Sequence, residues 1–384
     1  HMKRFSLFIA LMISFFTFSN AFTQMSAAIQ VGLSDTLHSK ILNQARLIQF
    51  YLPSNYEGSQ DHYPVMVLCD GQWNFLHTLG ILDFMAGTRC APRMILVSIY
   101  HTNRDDDLVP KTTETDNYSG NAEGFLDFIA EELIPYVESK FRTLPFRILT
   151  GISYGGLFTN YVLISKPNLF DAYISIDPAL WWDNHRVIRD SEKFFQNQES
   201  FDKILFFTQS EIKEMGGDLF ARMLHRAAPR GLKWEFKHMP QETHASITHR
   251  SIYDGLEFIF SDWSAKPVQI KPNGGIFRKN ESLLVELSHS NAENIHYTLN
   301  GGEPTLKSAV YENPLIIDKP CVLKIKPVFG YGITGNCDSV RFDIAVLQPS
   351  EKNVKNLKPG LTYHLFEGDW NKLPDFNTLK IKST

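Results

Sequence analysis

Residues 151–156 read Gly-Ile-Ser-Tyr-Gly-Gly, set between an apolar strand pattern at Arg147–Thr150 and a helical pattern at Gly155–Ser165. Few local sequences restrict a fold so tightly. The chain must leave a strand, bend sharply at one residue and enter a helix, with glycines where a Cβ would collide in the crowded turn. A serine at such a bend projects from the strand tip and stands at a helix N-terminus, where negative charge is favoured. The five-residue pattern recurs by chance. The strand before it and the helix after it make it a nucleophile elbow, with Ser153 as the candidate nucleophile.

The flanking sequence supplies the sheet that such a bend needs. Ala45–Leu52, Val65–Cys69, Met94–Tyr100, Ala172–Ile176, Lys203–Thr208 and Trp234–His238 read as further strands. Helical patterns lie at Gly124–Phe141, Gly217–Ala228 and Ile252–Trp263. Helices between apolar strands predict βαβ units and a mostly parallel sheet covered on both faces, an α/β domain over residues 22–263. The stretches 101–123 and 178–200 read as loops. After a breaker-rich linker at 264–273, short alternating segments predict an antiparallel β-sandwich over 274–346: Ser282–Leu287, Asn294–Leu299, Cys321–Val328 and Val340–Ile344.

A serine hydroxyl is a weak nucleophile until a base takes its proton, and in this arrangement the chain order is serine, acid, histidine. His244 lies between the last predicted strand and the last predicted helix, where the base belongs. His238 sits within the strand and His249 nearer the helix. The acid is expected at the tip of the preceding strand, which leaves Glu211, Glu214 and Asp218, with Glu211 preferred as the first after the strand. A tetrahedral intermediate needs two backbone donors. The N–H of Tyr154 follows the nucleophile directly, and the N–H of Gln72, after Asp70-Gly71, is the expected second. Asp70 itself reads as an organiser of that loop.

Composition narrows the partners. A hydrophobic content of 43 % with 13 % aromatic residues supports a large buried core, and a formal charge of −4 gives no footprint for a nucleic-acid backbone. Lys3 and Arg4 precede an apolar run from Phe5 to Phe18, followed by Ser19-Asn20-Ala21. That order predicts a signal peptide over residues 1–21, and so an exported protein, periplasmic or extracellular, without a membrane anchor in the mature chain. Four cysteines form no disulfide framework. Cys69 reads as a buried thiol, and a bridge between Cys321 and Cys337 is left open. No His-Glu-x-x-His cluster occurs among the 13 histidines.

The chain resembles the bacterial putative-esterase family of the α/β-hydrolase superfamily, which includes feruloyl esterases, S-formylglutathione hydrolases and enterobactin-type siderophore esterases. The similarity is carried by Phe50-Tyr51-Leu52-Pro53, Asp70-Gly71, Thr102-Asn103-Arg104 and Asp107-Leu108-Val109-Pro110. It continues through Glu132-Leu133-Ile134-Pro135-Tyr136, the elbow, Asp177-Pro178-Ala179-Leu180-Trp181-Trp182-Asp183 and His244. One departure is Ile152, where the family often has histidine. The resemblance implies the α/β-hydrolase fold and ester hydrolysis through an acyl-enzyme with no metal or cofactor. It also implies that Arg104, Trp181 and Trp182 line or support the substrate cleft.

Residues 274–346 resemble the small sandwich at the C-terminus of chitobiases, on Tyr297-Thr298-Leu299-Asn300-Gly301-Gly302-Glu303-Pro304-Thr305. Residues 347–384 resemble the opening of a carbohydrate-associated domain of the protective-antigen type. Such modules tilt the expected substrate toward acetyl or hydroxycinnamoyl esters of plant polysaccharide, with carbohydrate contact by the sandwich. Two alternatives stand beside that expectation: a siderophore trilactone esterase, and an inactive glycan-binding protein.

Overall fold

The computed structural model describes residues 30–112, 120–261, 263, 266–345 and 363–382. The signal peptide expected at residues 1–21 lies outside the described residues, as does part of the tail at 347–384 that was expected to open a carbohydrate-associated domain. Among the described residues no helix is long and apolar enough to cross a membrane.

Eight strands form the central sheet: β1 (Leu33–Ser39), β2 (Gln44–Tyr51), β3 (Tyr63–Leu68), β4 (Ile95–Ile99), β5 (Thr143–Ile152), β6 (Ala172–Ile176), β7 (Ile204–Gln209) and β8 (Lys233–His238). Their spatial order is β1-β2-β4-β3-β5-β6-β7-β8. The first two pairings are antiparallel and all the others parallel. Every residue of β3, β4 and β6 is buried, as strands covered on both faces require. β2, near the sheet edge, alternates instead between buried and exposed positions.

The helices are α1 (Gly71–Gly87), α2 (Arg104–Leu108), α3 (Ala122–Phe128), α4 (Ile134–Lys140), α5 (Tyr154–Ser165), α6 (Trp182–Gln196), α7 (Gly217–Ala227) and α8 (Ile247–Ile259). A π-helical turn at Ile129–Leu133 joins α3 to α4. One face of the sheet is covered by Phe125, Phe158, Phe195 and Phe220 from α3, α5, α6 and α7. On the other, Phe75 and Met85 of α1 pack with Ile252 and Leu256 of α8.

Several elements depart from the sequence reading, α2 among them, because 101–123 read as loop. β1 was not predicted, because a polar edge strand carries a weak apolar signal. α1 follows Asp70 directly, although Asp70-Gly71-Gln72-Trp73 read as a loop and residues 74–87 carry no predicted element. Residues 182–196, expected as loop, form α6 behind an unusual entry in which Asp183, Asn184 and His185 all have positive φ.

The C-terminal region is all β: β9 (Gln269–Lys271), β10 (Gly275–Phe277), β11 (Leu283–Ser288), β12 (Asn294–Thr298), β13 (Ala309–Val310), β14 (Leu315–Ile317), β15 (Cys321–Val328) and β16 (Asp338–Ile344). A five-stranded and a three-stranded sheet enclose a separate core that includes Val285, Leu323, Ile325 and Phe342. Strand register closes the disulfide question. Cys321 pairs with Phe342 and Ile325 with Asp338, so Cys337 falls roughly 16 Å along the ladder from Cys321. A disulfide needs Cα atoms within about 7 Å. Both thiols are free.

The sandwich docks at one end of the parallel sheet. Lys326, buried, reaches Asp61 at 2.8 Å and Glu303 at 2.6 Å. Tyr331 packs edge-on against Phe146 with ring centroids 5.0 Å apart, and Arg93 donates to Asn336 at 2.8 Å. Asp61, Arg93 and Phe146 all lie toward the N-terminal ends of the parallel strands. The elbow lies at the opposite end, roughly 20 Å further along β5 at about 3.3 Å per residue.

Candidate active site

The elbow is strained where a nucleophile elbow should be. Ser153 sits at φ 59° and ψ −116°, between the last residue of β5 and the first of α5. Its N–H donates to the Ile176 carbonyl at 3.0 Å, and its own carbonyl accepts from Ala179 at 3.1 Å. Ser153 is thereby pinned to the end of β6. Two glycines make the bend sterically allowed. A Cβ on Gly151 would stand 2.5 Å from the Gly155 carbonyl carbon, and one on Gly156 would stand 2.9 Å from the Ile176 oxygen.

His244 lies in the loop before α8, partly exposed, and its Nδ1 is 2.7 Å from Oδ2 of Asp177. Asp177 is the first residue after β6 and is fully buried, with φ 39°. Its N–H donates to Thr208, and its carboxylate accepts from the N–H and the hydroxyl of Ser210 at 2.9 Å and 2.6 Å. The expected acid, Glu211, is therefore corrected to Asp177. Glu211 and Glu214 are exposed, and Asp218 pairs with Arg222 at 3.0 Å. The tip of β7 contributes a serine that grips the acid, and the acid itself stands one strand earlier. The order serine, acid, histidine is unchanged. Asp177 carried a usable signal: it follows an apolar strand directly, just as Ser153 follows β5.

Arg104 is a strut. Its guanidinium meets both carboxylate oxygens of buried Asp70 at 2.5 Å and 2.8 Å, and donates to the Ile152 carbonyl at 3.0 Å. It fastens the turn after β3 to the strand that ends at Ser153. Of the two readings that the resemblance left, these contacts are those of support, with the side chain still partly exposed. Behind it, Asp107 takes two contacts of 2.5 Å from buried Arg46 and one of 2.8 Å from His101. Trp182 is 2 % exposed and belongs to the core, so it does not line a cleft. Trp181 is 43 % exposed and lies against Tyr154, ring centroids 6.1 Å apart. Gln72 is the second residue of α1 and Tyr154 the first of α5, so the two expected oxyanion donors lie at two helix N-termini. Burial, with the Asp70 charge beside it, pushes the Cys69 thiol well up, so it stays protonated under the elbow.

Comparison with known proteins agrees with this geometry. Residues 39–208 match the family described as "Putative esterase", and residues 285–339 match "Fn3 associated". The chain is 30 % identical over 168 residues to the siderophore triacetylfusarinine C esterase of Aspergillus fumigatus, covering 40 % of this chain and 58 % of that protein. It is 40 % identical over 85 residues to the siderophore enterobactin esterase of Emericella nidulans, covering 21 % and 28 %. The chain thus spans less than two thirds of either curated relative. A crystal structure of an IroE-like serine hydrolase from Shewanella oneidensis is 33 % identical, with a TM-score of 0.58 over 61 % of this chain and 81 % of that one. An α/β-hydrolase sheet, a strained serine at the tip of β5 and these similarities agree, and the chain belongs to the putative esterase family.

Proposed function

We propose that the protein is a serine carboxylic-ester hydrolase that works through an acyl-enzyme. The observation that carries this reading is the buried Asp177 carboxylate holding Nδ1 of His244, one strand tip away from a serine in strained elbow geometry. Ser153 Oγ attacks the ester carbonyl carbon while Nε2 of His244 takes its proton. Asp177 fixes the tautomer and stabilises the imidazolium. The N–H groups of Tyr154 and Gln72 receive the oxyanion at the two helix N-termini. His244 then protonates the leaving alcohol, and a water activated by the same histidine releases the acid. Ser153→Ala should lower turnover of p-nitrophenyl acetate by about a million-fold and abolish fluorophosphonate labelling. Wild-type turnover by that variant would sink the reading.

For substrate, the curated relatives favour a siderophore ester. The second reading, acetyl or hydroxycinnamoyl esters of polysaccharide, rests on the resemblance of residues 274–346 to the C-terminal sandwich of chitobiases. The position of this sandwich at the far end of the sheet weakens any direct part for it in choosing the ester. Rates on ferric enterobactin and on feruloylated oligosaccharide, measured side by side, decide between them. Export rests on residues 1–21, and the N-terminal residue of the secreted protein tests it.

A further inference from the structure

Three neighbouring strands end level with one another. Ile152 of β5 stands beside Ile176 of β6, and Ile176 beside Thr208 of β7. Just beyond these positions come Ser153, Asp177 and Ser210. Ser210 is fully buried. Its hydroxyl oxygen accepts from the N–H of Ile212 at 3.3 Å, which leaves the hydroxyl proton for Oδ2 of Asp177 at 2.6 Å. Its own N–H holds Oδ1 at 2.9 Å. Oδ2 therefore takes two donors, Ser210 and His244, and the plane of the carboxylate is fixed by both. Glu211 nearby is exposed, Glu242 accepts from Ser246, and Asp70 and Arg104 pair with each other. Among the described residues, Ser210 and His244 supply the side-chain donors to Asp177.

We propose that Ser210 is a positioning residue of this triad, its N–H and hydroxyl holding the Asp177 carboxylate in the orientation that meets His244. The proposal rests on the serine-esterase reading above. The clamp makes and breaks no bond. It keeps the acid aimed while His244 gains and loses its proton.

Hydrolysis of p-nitrophenyl acetate across pH tests this with the full chain. Ser210→Ala should lower kcat about tenfold with KM little changed, as expected for loss of one hydrogen bond to a charged group. The acid limb of its pH profile should move upward, because a carboxylate with one donor fewer holds the imidazolium proton more tightly. Ser210→Thr, which keeps a hydroxyl, should restore most of the rate. A Ser210→Ala enzyme with wild-type kcat and an unmoved acid limb would overturn the proposal. Wild-type turnover by Ser153→Ala would instead defeat the esterase reading itself.

Discussion

Asp70 shows how much one buried charge can organise. It is fully buried at φ 60°, stands at the N-cap position of α1, and its carboxylate is matched by two nitrogens of Arg104. Removing the arginine leaves a buried carboxylate whose remaining basic neighbour among the described residues is His101, with Nε2 at 4.0 Å. Breaking one partner of a buried pair costs about 3–5 kcal/mol, whereas neutralising both costs far less. Arg104→Met should therefore lower unfolding stability by about 3 kcal/mol, and adding Asp70→Asn should return much of it. Denaturant titration of the two variants checks this. Turnover should fall in both, because the turn carrying Gln72 is no longer tied to the elbow strand. The same economy of space governs Gly156. Gly156→Ala forces a Cβ to 2.9 Å from the Ile176 oxygen, on the strand end that positions Asp177, so soluble yield and kcat should drop together.

Among the elements, α1 makes a pH-dependent contribution. Burial, and then the His249 ring on α8 at 5.6 Å, hold His77 below the ordinary histidine value of 6.5. The unfolded chain takes up this proton first as pH falls, so acidification below 6.5 costs stability until the folded pKa is passed. His77→Asn should flatten that loss, read as a smaller change in denaturation midpoint between about pH 7.5 and about pH 5.5. Legibility in the sequence follows the same element-by-element logic. The parallel strands were readable because strands buried on both faces are written as continuous apolar runs, as in Ala172–Ile176. β1 was not, since an edge strand owes its place to pairing with β2 more than to its own side chains. Ser153 and His244 were placed from local context and chain order, and they lie at the strand–helix bend and in the loop before α8. Asp177 was missed because its partner depends on which strand tips stand side by side, and sheet order is not written in any single segment.

The whole molecule keeps its two cores apart yet bolts them together. Lys326 spans the junction between carboxylates of Asp61 and Glu303, and Tyr331 caps Phe146. Lys326→Ala leaves Asp61 buried without its cation, so the melting temperature should fall, while KM for a small ester stays unchanged roughly 20 Å away. Calorimetry and initial rates on one preparation separate the two effects. The level strand tips have a different consequence, one of timing. Ser153, Asp177 and Ser210 stand side by side only when β5, β6 and β7 have found their parallel register, and such non-local pairing forms late because distant segments must first be brought together. Catalytic competence should thus be among the last properties a refolding chain acquires. Recovery of turnover after dilution from urea should trail recovery of the helical circular-dichroism signal.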